Sequence, residues 1–251
     1  GHGGVKEKDI VLDISRRIAK LIEEEPGVKA ILTRESDVYP SLRKRVDIAR
    51  RAEADIFLSI HADAFKKSSV RGVSAYSLSE GGASSEMAAY LAQRENAADL
   101  AGGVSLSGQD EFVAEVMLDM QLDWKIQESR FLGQEMLAQL GQTVELHNRD
   151  LAHAGFVVLK APAIPSVLIE TGYVTNSMDA RRLKRPSYQQ RLAAAIFRGV
   201  LLYCYKRPEC PLPETSVKHY VVKAGDSLSK IAERYNSQVA AIRRWNGLED
   251  Y

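Results

Sequence analysis

His2, Glu7, His61 and Glu170 have the residue types and settings that metal-assisted hydrolysis needs. His2 lies in GHGG, where glycine lets the backbone approach a bound group closely. Glu7 opens the helical run that begins EKD, His61 closes the apolar run DIFLSIH, and Glu170 closes PSVLIE. Two imidazoles and one carboxylate suit Zn²⁺ and leave a tetrahedral position open for water. A carboxylate beside such an ion but not bound to it, here Glu170, could take a proton from the attacking water and hand it to a leaving nitrogen. Each residue also has an ordinary alternative. Glu7 could complement a helix dipole, Glu170 could sit in a structural ion pair, and His61 could be a hydrogen-bonded histidine after a buried strand.

The elements that would position these groups can be read from periodicity. Ile10, Val11, Ile14, Ile18, Leu21 and Ile22 recur at helical spacing over residues 8–24, and Pro26-Gly27 closes that helix. VKAILTR reads as a strand, SLRKRVDIARRAE as a helix, and DIFLSIHA as the next strand. Later, GFVVLK and PSVLIETG read as short strands, followed by the long helix YQQRLAAAIFRGVLLYCYK. Alternating strands and helices predict an α/β fold with the sheet covered on both faces, and chemistry at the strand ends, where His61 and Glu170 fall.

Residues 80–145 differ: glycine punctuates them (EGGASS, LAGGVSLSG), and the rest reads as helices. Between Gln109 and Asp123 the charges are all acidic, and Phe112, Val113, Val116, Met117 and Met120 form an apolar stripe. Such a stripe can pack on a core, or, being methionine-rich, repack on a partner.

A chain of 251 residues with 45% hydrophobic and 27% charged residues can bury one sizeable core with a small appendage. Its net charge of +1 gives no general attraction to nucleic acid or membrane. No apolar run approaches the roughly 20 residues of a membrane span. Cys204 and Cys210 make neither a disulfide framework nor a CxxC site, and their pairing is left open. RPECPLPETS reads as a linker. Beyond it, HYVVKAGDSLSKIAERYNSQVAAIRRWNGL reads as a short strand, a Gly225-Asp226 turn in which Asp226 or Ser227 caps a helix, and a second helix ending at Asn246-Gly247.

The segments GHGG, EKDIVLDISRRIAKLI, AILTRESDVYPSLRKRVDIARRAEADIFLSIHADA and VLIETGYVTNSMDARRL, in that order, resemble the zinc-dependent N-acetylmuramoyl-L-alanine amidases of bacterial cell division. The resemblance covers residues 1–206 and implies a twisted, mostly parallel sheet flanked by helices. It also implies cleavage of the amide joining the lactyl group of N-acetylmuramic acid to L-alanine of the stem peptide. By the same resemblance His2, Glu7 and His61 would bind one Zn²⁺ per chain, Glu170 would be the acid/base, and Arg34 is a candidate for substrate binding.

MAAYLAQRENAADLAGG and the acidic helices resemble the insertion that keeps some division amidases inactive until an activator with a degenerate LytM domain binds. A glutamate from such an insertion fills the open metal position; Glu95 is the first candidate and Glu111 the second. YVVKAGDSLSKIAERY resembles the opening of a LysM glycan-binding module, cut short before its closing strand. The implied domains are a catalytic unit at 1–206 with a helical regulatory insertion at 80–145, a linker at 207–216, and a partial LysM module of βαα form at 217–251.

The family pattern would also place a strand before GHGG, and a longer loop where this chain has only Val5 and Lys6 before EKD. The activator-controlled group implies the periplasm of a Gram-negative envelope, with an export signal ahead of Gly1. Two rivals remain at this stage. One is a non-catalytic peptidoglycan-binding regulator; the other is a zinc carboxypeptidase on stem peptides, which needs a basic clamp such as Arg34 or Arg43.

Overall fold

The computed structural model describes residues 1–25, 27–101, 119–161, 163–207, 210, 220–235, 237–246 and 248. Helix α1 (Glu7–Glu23) buries Ile10, Ile14 and Ile18, one residue per turn, and carries Glu7 and Asp9 in its first turn, where the helix dipole favours anions. Helix α2 (Leu42–Arg51) starts where the Ser41 hydroxyl accepts the Lys44 N–H, and buries Leu42, Val46 and Ala49.

Strands β1 (Phe57–His61), β2 (Ser74–Leu78), β3 (Ala152–Ala154) and β4 (Ser166–Glu170) form one sheet in the order β1-β4-β2-β3. β1 pairs with β4 in parallel, as β2 does with β3, while β2 and β4 run antiparallel. β4 is buried throughout and its residues alternate between two hydrophobic clusters. Val167 and Ile169 face a cluster with α1, whereas Leu168 faces one with α2. The sheet is therefore covered on both faces, as the alternation of elements predicted.

Helices α3 (Glu86–Asn96), α4 (Ala98–Ala101) and α5 (Asp119–Gly141) come from the region read as a helical insertion. They do different work. Leu132, Met136, Leu137 and Leu140 of α5 are buried in the first cluster, against the long helix α7 (Pro186–Lys206). The two helices approach so closely that a Cβ on Gly199 would lie 2.6 Å from the Met136 sulfur. α5 thus belongs to the body of the fold. Glu111 and the acidic stretch as far as residue 118 lie outside the described residues.

Two expected strands take other forms. Residues 28–34 are not a strand among the described residues, and Ile31 is 49% exposed. A strand needs a ladder partner, and residues 28–34 instead line, together with β1, a cleft of about 970 Å³. In GFVVLK, Val157–Leu159 forms a 3₁₀ turn instead. Its backbone groups are claimed by side chains: the Val157 N–H donates to Asn96 Oδ1 at 2.8 Å, and the Lys125 ammonium donates to the Leu159 carbonyl.

Helix α6 (Ser177–Leu183) is capped by Asn176. Cys204 and Cys210 form a disulfide. Beyond the linker, α8 (Leu228–Arg234), capped by Ser227, and α9 (Val239–Asn246) make up the tail. Its expected opening strand is not formed among the described residues. Instead the Lys223 N–H and the Tyr220 hydroxyl both donate to Asp226 Oδ2, at 2.7 and 2.8 Å, which folds residues 220–226 into a turn. No helix among the described residues is long and apolar enough to cross a membrane.

Candidate metal centre

The parallel register pairs His61 of β1 directly with Glu170 of β4, so both groups end at the same edge of the sheet. The backbone beyond β4 reinforces the pairing: Thr171 donates to the His61 carbonyl from both its N–H, at 2.9 Å, and its hydroxyl, at 2.8 Å. Gly172 follows at φ +138°, where an added Cβ would meet the Asp179 carboxylate at 3.2 Å. α1 brings Glu7 to the same place. Glu7 Oε1 lies 3.3 Å from His61 Nδ1 and accepts the Ala62 N–H at 3.1 Å.

Asp63 and Glu95 complete the cluster. Asp63 Oδ1 is 3.9 Å and Glu95 Oε2 3.3 Å from His61 Nδ1. Glu170 Oε2 accepts the Asp63 N–H at 3.1 Å, while Glu170 Oε1 and Asp63 Oδ2 are buried without a hydrogen-bond partner. His61 is 7% exposed and Glu170 fully enclosed.

Burial by itself pushes the His61 imidazolium down, but the Glu95, Asp63 and Glu7 carboxylates outweigh it and hold the group well above an ordinary histidine. Glu170 is held well above an ordinary carboxylate, first by burial and then by the Asp63 charge.

Glu7, His61 and Asp63 each offer a ligand atom within a 4.8 Å span. Two atoms each about 2.0–2.1 Å from a tetrahedral zinc stand about 3.3 Å apart. The separations from His61 Nδ1 to Glu7 and to Glu95 have that value, longer than an ordinary hydrogen bond. Carboxylates crowded around one imidazole, with buried oxygens left over, form an environment that a divalent cation satisfies. The residues therefore fit a metal ion.

His2 stands apart from this group. It is exposed, on a 3₁₀ turn (His2–Gly4) held against the body by its own N–H, which donates to the Val174 carbonyl at 2.6 Å. The Lys184 ammonium, donating to the Gly3 carbonyl at 2.7 Å, pins the same turn toward α6. Asp63, not singled out beforehand as a ligand, is the third group whose ligand atom lies within reach of Glu7 and His61; its position two residues beyond His61 was the available signal. Arg34 spends its guanidinium on backbone, donating to the Ser36 carbonyl at 3.0 Å and the Lys8 carbonyl at 2.5 Å.

Glu95 reaches the centre because α3 is tied down around it. Arg94 donates to the Ala64 carbonyl, and Asn96 donates to the Gly155 carbonyl at 2.8 Å. Just past α3, Asp99 accepts the Leu42 N–H at the start of α2, at 3.0 Å, and the Tyr39 hydroxyl at 3.1 Å.

A family model described as N-acetylmuramoyl-L-alanine amidase matches residues 1–201. The chain belongs to the N-acetylmuramoyl-L-alanine amidase family. A second model, for the LysM domain, matches residues 220–251. Among curated amidases, the chain is 44% identical to AmiC of Escherichia coli O6:H1 over 81% of its own length and 51% of the relative's. It is 40% identical to AmiA of E. coli K12, over 81% of this chain and 70% of that one. The chain thus spans about half the length of that AmiC. Among solved structures, the amidase AmiC2 of Nostoc punctiforme is similar at TM-score 0.55 and 31% identity, over 82% of this chain and 88% of that one. The match to the amidase family begins at residue 1, so it includes GHGG along with the EKD, SIHAD and LIETG segments.

Proposed function

We propose that the chain is a peptidoglycan hydrolase that cleaves the amide between N-acetylmuramic acid and the L-alanine of the stem peptide. The observation that carries this reading is the buried cluster at the paired ends of β1 and β4, where donor atoms stand at zinc-ligand spacing beside an enclosed carboxyl group. Glu7 and His61 would hold one Zn²⁺. His2 is the proposed third ligand, supported by the family match from residue 1, and reaching the centre would require its turn to leave the contacts with the Val174 carbonyl and Lys184. Asp63 is the rival for that place. When bound, the ion would supply Lewis-acid polarisation and lower the pKa of water.

The chain's own residues do the rest. Glu170 takes the proton from the attacking water and delivers it to the leaving nitrogen, and its burial keeps the proton from leaking to solvent. The Asp63 N–H fixes one Glu170 oxygen and leaves the other to work. Glu95 keeps this centre closed by standing within ligand distance of His61 Nδ1, and an activator, of the degenerate LytM kind, would lift α3 away. The LysM module would deliver the enzyme to the glycan of a periplasmic cell wall. Of the two arginines that a carboxypeptidase could use as a clamp, Arg34 is already engaged by the Ser36 and Lys8 carbonyls, which weakens that alternative.

The test is metal content together with dye release from labelled peptidoglycan, measured for the wild-type chain and for Glu95→Ala. One zinc per chain and activity that rises in Glu95→Ala support the reading; no metal in either form would sink it. Loss of zinc in Asp63→Asn but not in His2→Ala would reassign the third ligand to Asp63.

A further inference from the structure

The imidazole of His61 makes two kinds of contact. Nδ1 faces the Glu7, Glu95 and Asp63 carboxylates, while Nε2 lies 2.9 Å from the Ser59 hydroxyl. Ser59 reaches it because side chains alternate along β1. Phe57, Ser59 and His61 share the buried face, and the sheet register fixes the spacing by pairing Ser59 with Leu168 and His61 with Glu170. Ser59 is itself 5% exposed, so water does not compete for the contact.

A neutral imidazole carries a single N–H, and a metal needs the bare nitrogen. We infer that Ser59 is a positioning residue that accepts the Nε2–H of His61, fixing the tautomer and ring orientation that present Nδ1 to the metal. The inference rests on the reading of His61 as a metal ligand. A histidine ligand commonly gives its second N–H to a carboxylate, a carbonyl or water. A hydroxyl does the same work without adding a further negative charge to a centre that already holds Glu7, Asp63, Glu95 and Glu170.

The experiment is competition of the purified chain against a chromophoric zinc chelator, using wild type, Ser59→Ala, Ser59→Thr and His61→Ala, with the thermal midpoint of each metal-free form recorded alongside. Losing such a supporting partner typically costs about 10–100-fold in metal affinity. Ser59→Ala should show a loss of that size at an unchanged metal-free midpoint, and Ser59→Thr, which keeps the hydroxyl, should bind within about threefold of wild type. If Ser59→Ala does not fold, Ser59→Cys is read in its place, since it keeps the shape with a weaker acceptor. Wild-type affinity in the Ala or Cys variant overturns the inference. So does a loss that threonine, folded normally, fails to restore. Wild-type zinc binding in His61→Ala would instead remove His61 from the metal site, and that failure is distinguishable because it does not depend on position 59.

Discussion

Between Val5 and Cys204 the protein buries hydrophobic clusters on both faces of a four-stranded sheet, whereas between Tyr220 and Leu248 the only described residues so buried are Ile231 and Ala232. The body also encloses charge. His61, Asp63, Glu95 and Glu170 are all buried there, at a cost that only a dense surrounding structure can meet. The tail encloses little and leaves Val221 81% and Val222 66% exposed. Proton transfer at a fixed site needs groups held rigidly out of water, but gripping an extended polymer needs only surface. The two regions divide the proposed tasks along that line.

The largest test of this contrast is chemical. Glu170→Gln should cut hydrolysis by about 10³-fold or more while zinc content and thermal midpoint stay near wild type. Retained activity would remove Glu170 from the proton path. Next comes packing. Leu132→Ala in α5 should cost about 3 kcal/mol in denaturant unfolding of the body, and Ile231→Ala should leave that transition unmoved. Equal effects would show that the tail is part of the body's cooperative unit.

Lys125 gives a pH-dependent test. It is fully buried on α5, and burial pushes its ammonium down from 10.5 to about 7. Between those values the unfolded chain holds a proton that the folded chain lacks, so stability falls as pH drops from 10.5 toward 7 and then levels off. Lys125→Met should therefore be more stable than wild type by about 2 kcal/mol at pH 7, after allowing for the carbonyl of Leu159 that it leaves unpaired, and by less at pH 10. A gain that does not change with pH would mean that Lys125 is not titrating in this range. The smallest effect concerns the closed centre. If the contact between α3 and the metal site has the 1–3 kcal/mol typical of coupling between sites, Glu95→Ala should raise basal hydrolysis about tenfold.

Much of the body was legible because its signals are local. The isoleucines of α1, the capped start of α2, the apolar runs ending in His61 and Glu170, and the long α7 all announce themselves by periodicity. β2 and β3 did not, since SAYSL and AHA are short and contain no β-branched residue. Residues 28–34 have strand composition but lack a ladder partner, and Val157–Leu159 has strand composition but loses its backbone groups to Asn96 and Lys125. Both outcomes depend on residues distant in the chain. At the centre, the motifs brought out Glu7, His61, Glu95 and Glu170. Asp63 and Ser59 were hidden because their importance comes from which atoms of His61 they face.

The direct pairing of His61 with Glu170 also makes the centre a gauge of folding accuracy. A slip of one residue between β1 and β4 would turn one of the two side chains to the opposite face of the sheet, although the hydrophobic runs could still associate. A misregistered chain would keep much of its secondary structure and lose the proposed catalytic pair. After refolding, specific activity would then count the molecules whose strands joined in the correct frame, a fraction that circular dichroism would overstate.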